Sequence, residues 1–277
     1  INAMLNMNMT NTDAVKEISK IVSDIAGIQL GEKQYSMVES RLKSRMLKLN
    51  INTIVEYLTY VRKHKEIETG ILLSLLTTHH TYFFREFSHF EHILNNRLKI
   101  LIKEAEARPD NKIRIWSAAC SSGQEVYSLA MFFHFHLKSI ASHVDFEIWG
   151  TDIDRESVEI AQNGVYKSSD LNQSPAMYVA DHWIQGKNSV KDYSKAKDTI
   201  KSKCRFTTLN LMKAHEFAVP GKFDLIFCRN VFIYFNLEQI EKITTDLIER
   251  LSPEGSLVLG VSESLLGLKL PVETTGP

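Results

Sequence analysis

The sequence predicts a doubly wound α/β domain that follows a small helical domain and carries a short inserted β-subdomain. Ile113–Ser128 has the pattern of a buried strand, a turn of small residues and the start of a helix. Strand and helix patterns then alternate along the chain, which is typical of a parallel sheet with crossover helices. The first ninety residues show helical patterns and no convincing strand. A chain of 277 residues is long enough for one large and one small domain.

The composition is that of an ordinary globular protein. Hydrophobic residues make up 44% and charged residues 24% of the chain, and the formal net charge of zero favours neither nucleic acid nor a membrane surface as a partner. The three cysteines are widely spaced and form no C-x-x-C pair, which favours reduced thiols over disulfides or a zinc site. No signal peptide and no apolar run of membrane-spanning length is evident, and we expect a cytoplasmic protein.

We expect the helical domain over residues 10–76. Its first helix has a stop signal at Gly27, its second covers Gln34–Leu49, and Thr53 with Glu56 forms a capping box for the third. The fourth helix is expected to bury one apolar face: Ile67, Ile71, Leu72 and Leu75.

A basic stripe lies on the second of these helices. Arg41, Arg45 and Lys48 are spaced by about one turn and therefore share a helix face. Most such stripes are solvated surfaces, and the pattern alone favours that interpretation. The alternative is a docking surface for an acidic helical partner.

Residues 77–112 are expected to link the two domains. Their first part, Thr77–Phe90, is dense in aromatic residues, and we expect a helix whose Phe residues pack between the domains. An unpaired guanidinium is costly in such surroundings, so Arg85 should have an anionic partner, either a ligand carboxylate or phosphate or a structural Asp or Glu. His79 and His80 are adjacent and no third ligand is evident, so no metal site is predicted.

Small or polar residues follow four of the predicted strands. They are Cys120–Gly123, Asp152, Asn210 and Arg229-Asn230. Gly123 can adopt a positive φ in the turn where a backbone must approach a ligand closely. Asp152 ends the second strand, where an acidic residue is placed to accept hydrogen bonds from ribose hydroxyls. Because ligands bind outside the carboxyl ends of parallel strands, these positions together predict a nucleoside-type ligand.

The remaining elements follow from the same patterns. We expect them at Asp145–Thr151, Arg155–Asn163, Cys204–Leu209, Phe223–Cys228, Leu237–Leu251 and Ser256–Val261. Residues 164–203 interrupt the alternation and should form the inserted subdomain, with short antiparallel strands near Trp183, Val190 and Tyr193.

Taken together, these motifs resemble the S-adenosylmethionine-dependent glutamate methyltransferases of chemotaxis receptors (CheR type). The similar segments, in the family's order, are THHTYFFREFSHF, IRIWSAACSSGQEVYSLAM, GTDID, NGVY, FDLIFCRNVFIYF and GSLVLGVSES. The resemblance implies an all-α N-terminal domain and a Rossmann-like class I methyltransferase domain over 113–277, with a small antiparallel β-subdomain inserted at 164–203.

The resemblance also implies site residues. The expected cofactor contacts come from the linker, the turn and the strand ends: His79, Thr81, Arg85, Gly123, Glu125, Asp152, Asn210, Leu211, Arg229 and Asn230. Arg85 would face the methionine carboxylate and Asp152 the ribose. Two positions depart from the family pattern, since His79 stands where Asn is usual and Gln124 stands where an acid is common.

Two residues are expected to act on the substrate. Tyr234 matches a tyrosine thought to lie near the transferred methyl group. A basic residue should lie near the substrate carboxylate shortly after the linker; Arg97, Lys99 and Lys103 are the candidates, and Arg97 is our first choice.

The implied reaction is methyl transfer from S-adenosylmethionine to glutamate side chains of chemoreceptors, which forms glutamyl methyl esters in chemotactic adaptation. Given an acidic helical partner of that kind, docking becomes the favoured interpretation of Arg41, Arg45 and Lys48. The alternative, motivated by His79 and Gln124, is a weak or inactive relative that binds cofactor or receptor as a signalling module. A nucleic-acid or small-molecule methyltransferase is disfavoured, because a (D/N)-P-P-(Y/F) signature and a large basic surface are absent. We expect a monomer.

Overall fold

The computed structural model describes residues 9–77, 80–219 and 221–273. Contacts divide these residues into two units. The first comprises residues 9–77 with Tyr234–Gln239, and the second comprises 80–233 with 240–273. Most of the expected linker therefore groups with the α/β unit.

The first unit is built on four helices. They are α1 (Asn11–Ala26), α2 (Tyr35–Lys48), α3 (Ile54–Lys63) and α4 (Lys65–Leu76). Gly27 ends α1 in the left-handed conformation, with φ of 80°, and Thr53 and Glu56 form the capping box of α3, so both predicted signals are confirmed.

The buried face of α4 differs from the predicted one. Ile67 is 66% exposed, whereas Glu68 is fully buried. The Glu68 carboxylate accepts hydrogen bonds from Arg45 Nε at 3.2 Å and from Tyr57 Oη at 2.9 Å, and Arg45 Nη2 also donates to it. A buried carboxylate is tolerated when it is paired in this way, which an apolar periodicity does not reveal.

The second unit contains a five-stranded parallel sheet of order β6-β2-β1-β7-β8. Its strands are β1 (Lys112–Ala118), β2 (Asp145–Asp152), β6 (Cys204–Thr208), β7 (Phe223–Cys228) and β8 (Leu251–Leu259). The helices around them are α5 (Ser88–His92), α6 (Leu98–Glu106), α7 (Gln124–Ile140), α8 (Arg155–Asn163) and α12 (Leu237–Ile248). The strand order reverses between β1 and β7, which makes this the switch point of a doubly wound sheet and confirms the predicted fold class.

The insertion between α8 and β6 forms a second, antiparallel sheet of order β3-β5-β4. Its elements are β3 (Val165–Lys167), α9 (Ser168–Leu171), α10 (Ala176–Val179), β4 (Trp183–Gln185), β5 (Tyr193–Ala196) and α11 (Asp198–Lys201). The strands expected near Trp183 and Tyr193 are present. The strand expected near Val190 is wrong, because Asn188–Val190 is a short 3₁₀ turn that connects β4 to β5.

The aromatic segment before α5 is not helical, contrary to the prediction. Phe84 and Glu86 both adopt a left-handed backbone with φ of 54°, and α5 begins only at Ser88. The rings explain this conformation. Phe83 packs edge-on against Tyr166 and Trp183 of the insertion, with ring centroids 5.1 and 5.5 Å apart, while Phe84 stacks on Tyr178 at 5.1 Å. Tertiary packing thus overrides the local helical pattern.

The last strand begins earlier than predicted. Phe223 pairs in parallel with Leu251, which therefore belongs to β8, and α12 ends at Ile248 rather than at the predicted Leu251. At its other end the strand stops at Leu259, which pairs with Cys228, rather than at the predicted Val261. All three cysteines are free thiols. Within the described residues, no helix combines the length and the apolar character needed to span a membrane.

Candidate active site

The turn after β1 has an unusual backbone. Ala119, Ser121 and Gly123 have positive φ values of 68°, 50° and 93°. For the two residues with a side chain this conformation costs free energy, and it tends to occur at functional sites. A Cβ on Gly123 would lie 2.7 Å from Cβ of Ala161 and 2.8 Å from Oη of Tyr166. Glycine is therefore required here by packing as well as by φ.

Asp152 holds this turn at the carboxyl end of β2. It is 8% exposed, and its carboxylate accepts hydrogen bonds from the backbone N–H of Ser121 at 2.7 Å and of Asp154 at 3.0 Å. Its carbonyl accepts from the N–H of Leu209 at 2.9 Å. One residue thus joins the ends of β1, β2 and β6.

Asn210 and Leu211 follow β6 at the same edge. The Asn210 side chain accepts a hydrogen bond from the backbone N–H of Met212 at 2.9 Å and caps the 3₁₀ turn Leu211–Glu216. Leu211 is buried. The structure therefore brings these two residues to the edge where Gly123 and Asp152 lie, as the sequence predicts.

Arg229, directly after β7, is the centre of a buried charge network. Its side chain is 2% exposed. Nη1 donates to Glu125 Oε2 at 2.9 Å, while Nη2 donates to Glu86 Oε2 at 2.9 Å and to the Arg85 carbonyl at 2.6 Å. Glu125, in the first turn of α7, also accepts from Ser117 Oγ at 2.6 Å. Arg229 and Glu125 are thus brought together as predicted, and they pair with each other.

Glu86 was not identified from the sequence. Its Oε1 accepts a hydrogen bond from Asn230 Nδ2 at 3.0 Å, and its Oε2, which also accepts from Arg229, accepts one from the backbone N–H of Val261 at 3.1 Å. Burial alone would raise the pKa of Glu86, but hydrogen bonds from Asn230 and Arg229 and the charge of Arg229 outweigh burial and lower the pKa to about 2.

Glu263 was also missed, and it organises the loops after β7 and β8. Its carboxylate accepts four backbone N–H hydrogen bonds: Asn230 at 2.7 Å and Val231, Phe232 and Gly260 at 2.8 Å each. Asn230 has a positive φ of 57°. One signal was present in the sequence, since Glu263 lies in the short polar stretch that follows the last predicted strand, but four backbone partners cannot be read from a sequence.

The other expected site residues have different surroundings. Arg85 Nη1 donates to the His80 carbonyl at 2.7 Å, and its guanidinium lies 5.7 Å from the ring centroid of Tyr82; no carboxylate of the described residues pairs with it. Arg97 donates to the carbonyl of Glu254, in the amino-terminal half of β8, so the structure does not bring it to the carboxyl edge. His79 lies outside the described residues.

Tyr234 groups with the helical unit, where its carbonyl accepts a hydrogen bond from Gln29 N–H at 2.6 Å. The basic stripe lies in the same unit. Arg41 donates to the carbonyls of Leu75 and Thr77 at 3.3 and 3.0 Å, and Arg45 is bound to Glu68, as described above. Of the three predicted docking residues, Lys48 is the exposed one.

These features define the class of the protein. A parallel sheet of this order, with a strained small-residue turn after its first strand and an acidic residue after its second, is the nucleoside-binding architecture of doubly wound domains. The family described as "CheR methyltransferase, SAM binding domain" matches residues 79–276, and the family's all-alpha domain matches residues 13–77. The chain belongs to the CheR methyltransferase family.

Similar sequences from bacteria support this assignment. A chemotaxis protein methyltransferase of Borreliella burgdorferi is 33% identical over 96% of this chain and 92% of its own length. A probable chemotaxis protein methyltransferase of Rhizobium etli is 38% identical over 89% of this chain and 90% of its own length. The chemotaxis protein methyltransferase of Escherichia coli K12 is 31% identical over 92% of this chain and 85% of its own length. Among solved structures, magnesium protoporphyrin IX methyltransferase of Synechocystis PCC 6803 with bound SAH is 15% identical over 60% of this chain and 53% of its own, with a TM-score of 0.30.

The residues at the edge fit S-adenosylmethionine, the cofactor of this family. Ser121 Oγ is buried without a hydrogen-bond partner in the strained turn, next to the Asp152 carboxylate. A buried hydroxyl of this kind normally has a hydrogen-bond partner, because burying it without one costs free energy. A polar ligand that forms a hydrogen bond with the hydroxyl removes that cost. No cluster of three or more potential metal ligands occurs in residues 9–77, 80–219 and 221–273.

We predict that Glu263→Gln weakens cofactor binding although Glu263 was not among the expected contacts. An amide cannot accept four N–H groups as well as a carboxylate does, and hydrogen bonds to charged groups are worth about 1.5–3 kcal/mol. The affinity for S-adenosylhomocysteine, measured by calorimetry, should fall about tenfold. Glu254→Gln is the control, because the Glu254 side chain is exposed on β8, the strand that precedes the loop of Glu263. Equal affinities for the two variants would contradict the prediction.

His89 should make the α/β unit sensitive to mild acid. The residue is 9% exposed, its Nδ1 has no hydrogen-bond partner, and burial together with the Arg229 charge lowers its pKa from 6.5 to about 4. The unfolded chain therefore binds more protons, so the stabilisation is complete above pH 6.5 and is lost as the pH falls to 4.

The measurement is urea unfolding between pH 7 and 4.5, followed by fluorescence of Trp116, Trp149 and Trp183, all of which lie in this unit. His89→Gln should remove much of the pH dependence in this range, up to roughly 3 kcal/mol, because one pKa unit corresponds to about 1.4 kcal/mol. The stabilisation contributed by ionised Glu86 is lost at lower pH, between pH 4.5 and 2, and so does not overlap this range. Parallel curves for the wild type and the variant would refute the role of His89.

Proposed function

We propose that this protein transfers the methyl group of S-adenosylmethionine to glutamate side chains of chemoreceptors and forms glutamyl methyl esters. The observation that carries the proposal is the match of both CheR domains over nearly the whole chain, together with the convergence of Asp152, Glu125 and Arg229 at one sheet edge. The names of the relatives supply the chemotactic role. The comparisons do not favour an inactive signalling module.

The arrangement suits a reaction that needs alignment rather than acid–base chemistry. The bound cofactor supplies a methyl group on a positively charged sulfur, which is already a good electrophile. A glutamate side chain has a pKa near 4.3 and is ionised at neutral pH, so no general base is required. His89, whose pKa is lowered to about 4 by burial and by the charge of Arg229, is buried and neutral at pH 7. What the protein must provide is orientation of the acceptor oxygen and exclusion of water.

The strand ends and the segment before α5 would supply the cofactor contacts. We assign the ribose hydroxyls to Asp152 and the methionine carboxylate to Arg85, for which no anionic partner is found among the described residues. Asn210 and Leu211 would flank the adenine. Arg229 and Glu125 would act mainly by fixing the edge, because each is already bound to the other. Tyr234 stays assigned to the methyl-transfer site by resemblance.

We predict that Asp152→Asn abolishes measurable binding of S-adenosylhomocysteine or weakens it at least tenfold. The substitution removes the charge that would accept the ribose hydrogen bonds and weakens the bond to Ser121 N–H. Asp145→Asn, at the other end of the same strand, is the matched control.

The assay pairs calorimetry with transfer of a labelled methyl group to a chemoreceptor cytoplasmic fragment. Base-labile label on receptor glutamates supports the function. Cofactor binding by the wild type without any transfer would support the signalling module instead.

The docking surface is proposed on the exposed side of α2. Lys48 lies there with Lys43 and with Leu47, which is 76% exposed. Charge reversal at Arg45 is a poor test, because it would also leave the buried Glu68 without its cation. We therefore expect Lys48→Glu to raise the KM for the receptor fragment several-fold at low salt, since rim charges act through long-range attraction. Lys65→Glu is the control, and an equal KM for the two variants would remove the docking proposal.

A further inference from the structure

A polar cleft of about 250 Å³ opens on the α/β unit outside the contacts assigned above. Three separate segments line it. They contribute Thr81 and Tyr82 from the stretch before α5, Gln124 from the first turn of α7, and Ser169, Asp170 and Gln173 from α9 and the residues after it. Of these residues, only Thr81 has been given a role in cofactor binding.

The cleft lies beside residues that we assign to the cofactor site of the α/β unit. Gln124 precedes Glu125, which is bound to Arg229, and the ring of Tyr82 lies 5.7 Å from the guanidinium of Arg85. A ligand in the cleft would therefore be adjacent to the cofactor contacts on two sides.

Two of the three segments that line the cleft are anchored by contacts of their own. Phe83 and Phe84, which follow Tyr82, are 2% and 5% exposed and are held by the aromatic rings of the insertion. The Gln124 side-chain oxygen accepts a hydrogen bond from Ser122 Oγ at 2.9 Å, and its carbonyl accepts from Ser128 Oγ at 2.7 Å. A preformed wall reduces the entropy that binding must overcome.

The lining indicates the class of ligand. Hydroxyl groups come from Thr81, Tyr82 and Ser169, and amide groups from Gln124 and Gln173; among the described residues of the lining, the one charged group is the carboxylate of Asp170. Hydroxyls and amides both donate and accept hydrogen bonds, and they suit peptide groups and uncharged polar side chains. The carboxylate of Asp170 attracts a basic side chain and repels an acidic one.

We propose that this cleft is a subsite for the polypeptide substrate, where it binds the residues that flank the acceptor glutamate. Beside the acceptor glutamate, the cleft favours an uncharged polar or basic side chain over an acidic one. The proposal rests on the proposed function, because a flanking residue has meaning only if a protein glutamate is the acceptor.

Two variants test the subsite. Ser169→Trp fills the cleft, and Asp170→Lys reverses its charge; both positions are exposed, and Asp192→Lys, at an exposed aspartate of the same insertion outside the cleft, is the control. We expect Ser169→Trp to raise the KM for a chemoreceptor fragment at least about fivefold, which corresponds to roughly 1 kcal/mol. The kcat and the Kd for S-adenosylhomocysteine should change less than twofold.

The Asp170→Lys variant tests whether the cleft prefers basic to acidic flanking residues. With receptor fragments whose residues beside the acceptor are changed to Lys or to Glu, Asp170→Lys should raise the KM of the Lys fragment and lower that of the Glu fragment. An unchanged KM in both cleft variants overturns the proposal, and so does a parallel rise in the Kd for S-adenosylhomocysteine, which would assign the cleft to the cofactor. Absence of methyl transfer by the wild type overturns the proposed function itself, and the subsite with it.

Discussion

The α/β unit depends on one buried cation, the guanidinium of Arg229. Moving such a charge out of water costs several kcal/mol, and only close, well-oriented partners offset that cost. Glu86, Glu125 and the Arg85 carbonyl provide them, and each belongs to a different part of the chain from Arg229 itself. The stretch before α5, the start of α7 and the end of β7 are therefore held together as one network, in which the loss of one member removes a partner from a buried charge.

This network also maintains backbone conformations that would not persist alone. Ala119, Ser121, Asn230 and Glu86 all have positive φ near the carboxyl edge of the sheet. Each costs of order 1–3 kcal/mol and survives only where its surroundings determine it. Here the determining bonds are those from Ser121 to Asp152, from Asn230 to Glu263 and from Asn230 to Glu86. The edge is thus shaped before a ligand arrives, which is what a methyl transfer governed by alignment requires.

The inserted sheet is attached to this edge by aromatic packing rather than by charge. Phe83 and Phe84 contact Tyr166, Trp183 and Tyr178 of the insertion, and Tyr166 Oη donates to the Ser122 carbonyl in the strained turn at 2.7 Å. The turn that would contact the cofactor and the insertion that lines the polar cleft therefore share a wall. This continuity provides a physical route by which substrate binding and cofactor binding can depend on the same residues.

The sequence by itself determined the elements whose signals are local. The strand Phe223–Cys228, the helix Arg155–Asn163 and the capping box at Thr53 follow from nearby residues, and the structure confirms them. Only the tertiary structure decided that Glu68 rather than Ile67 is buried, and that Glu86 pairs with Arg229, 143 positions away. Periodicity reports which residues share a face, but a buried charge is placed by partners that the chain brings together only on folding, and no local pattern specifies them.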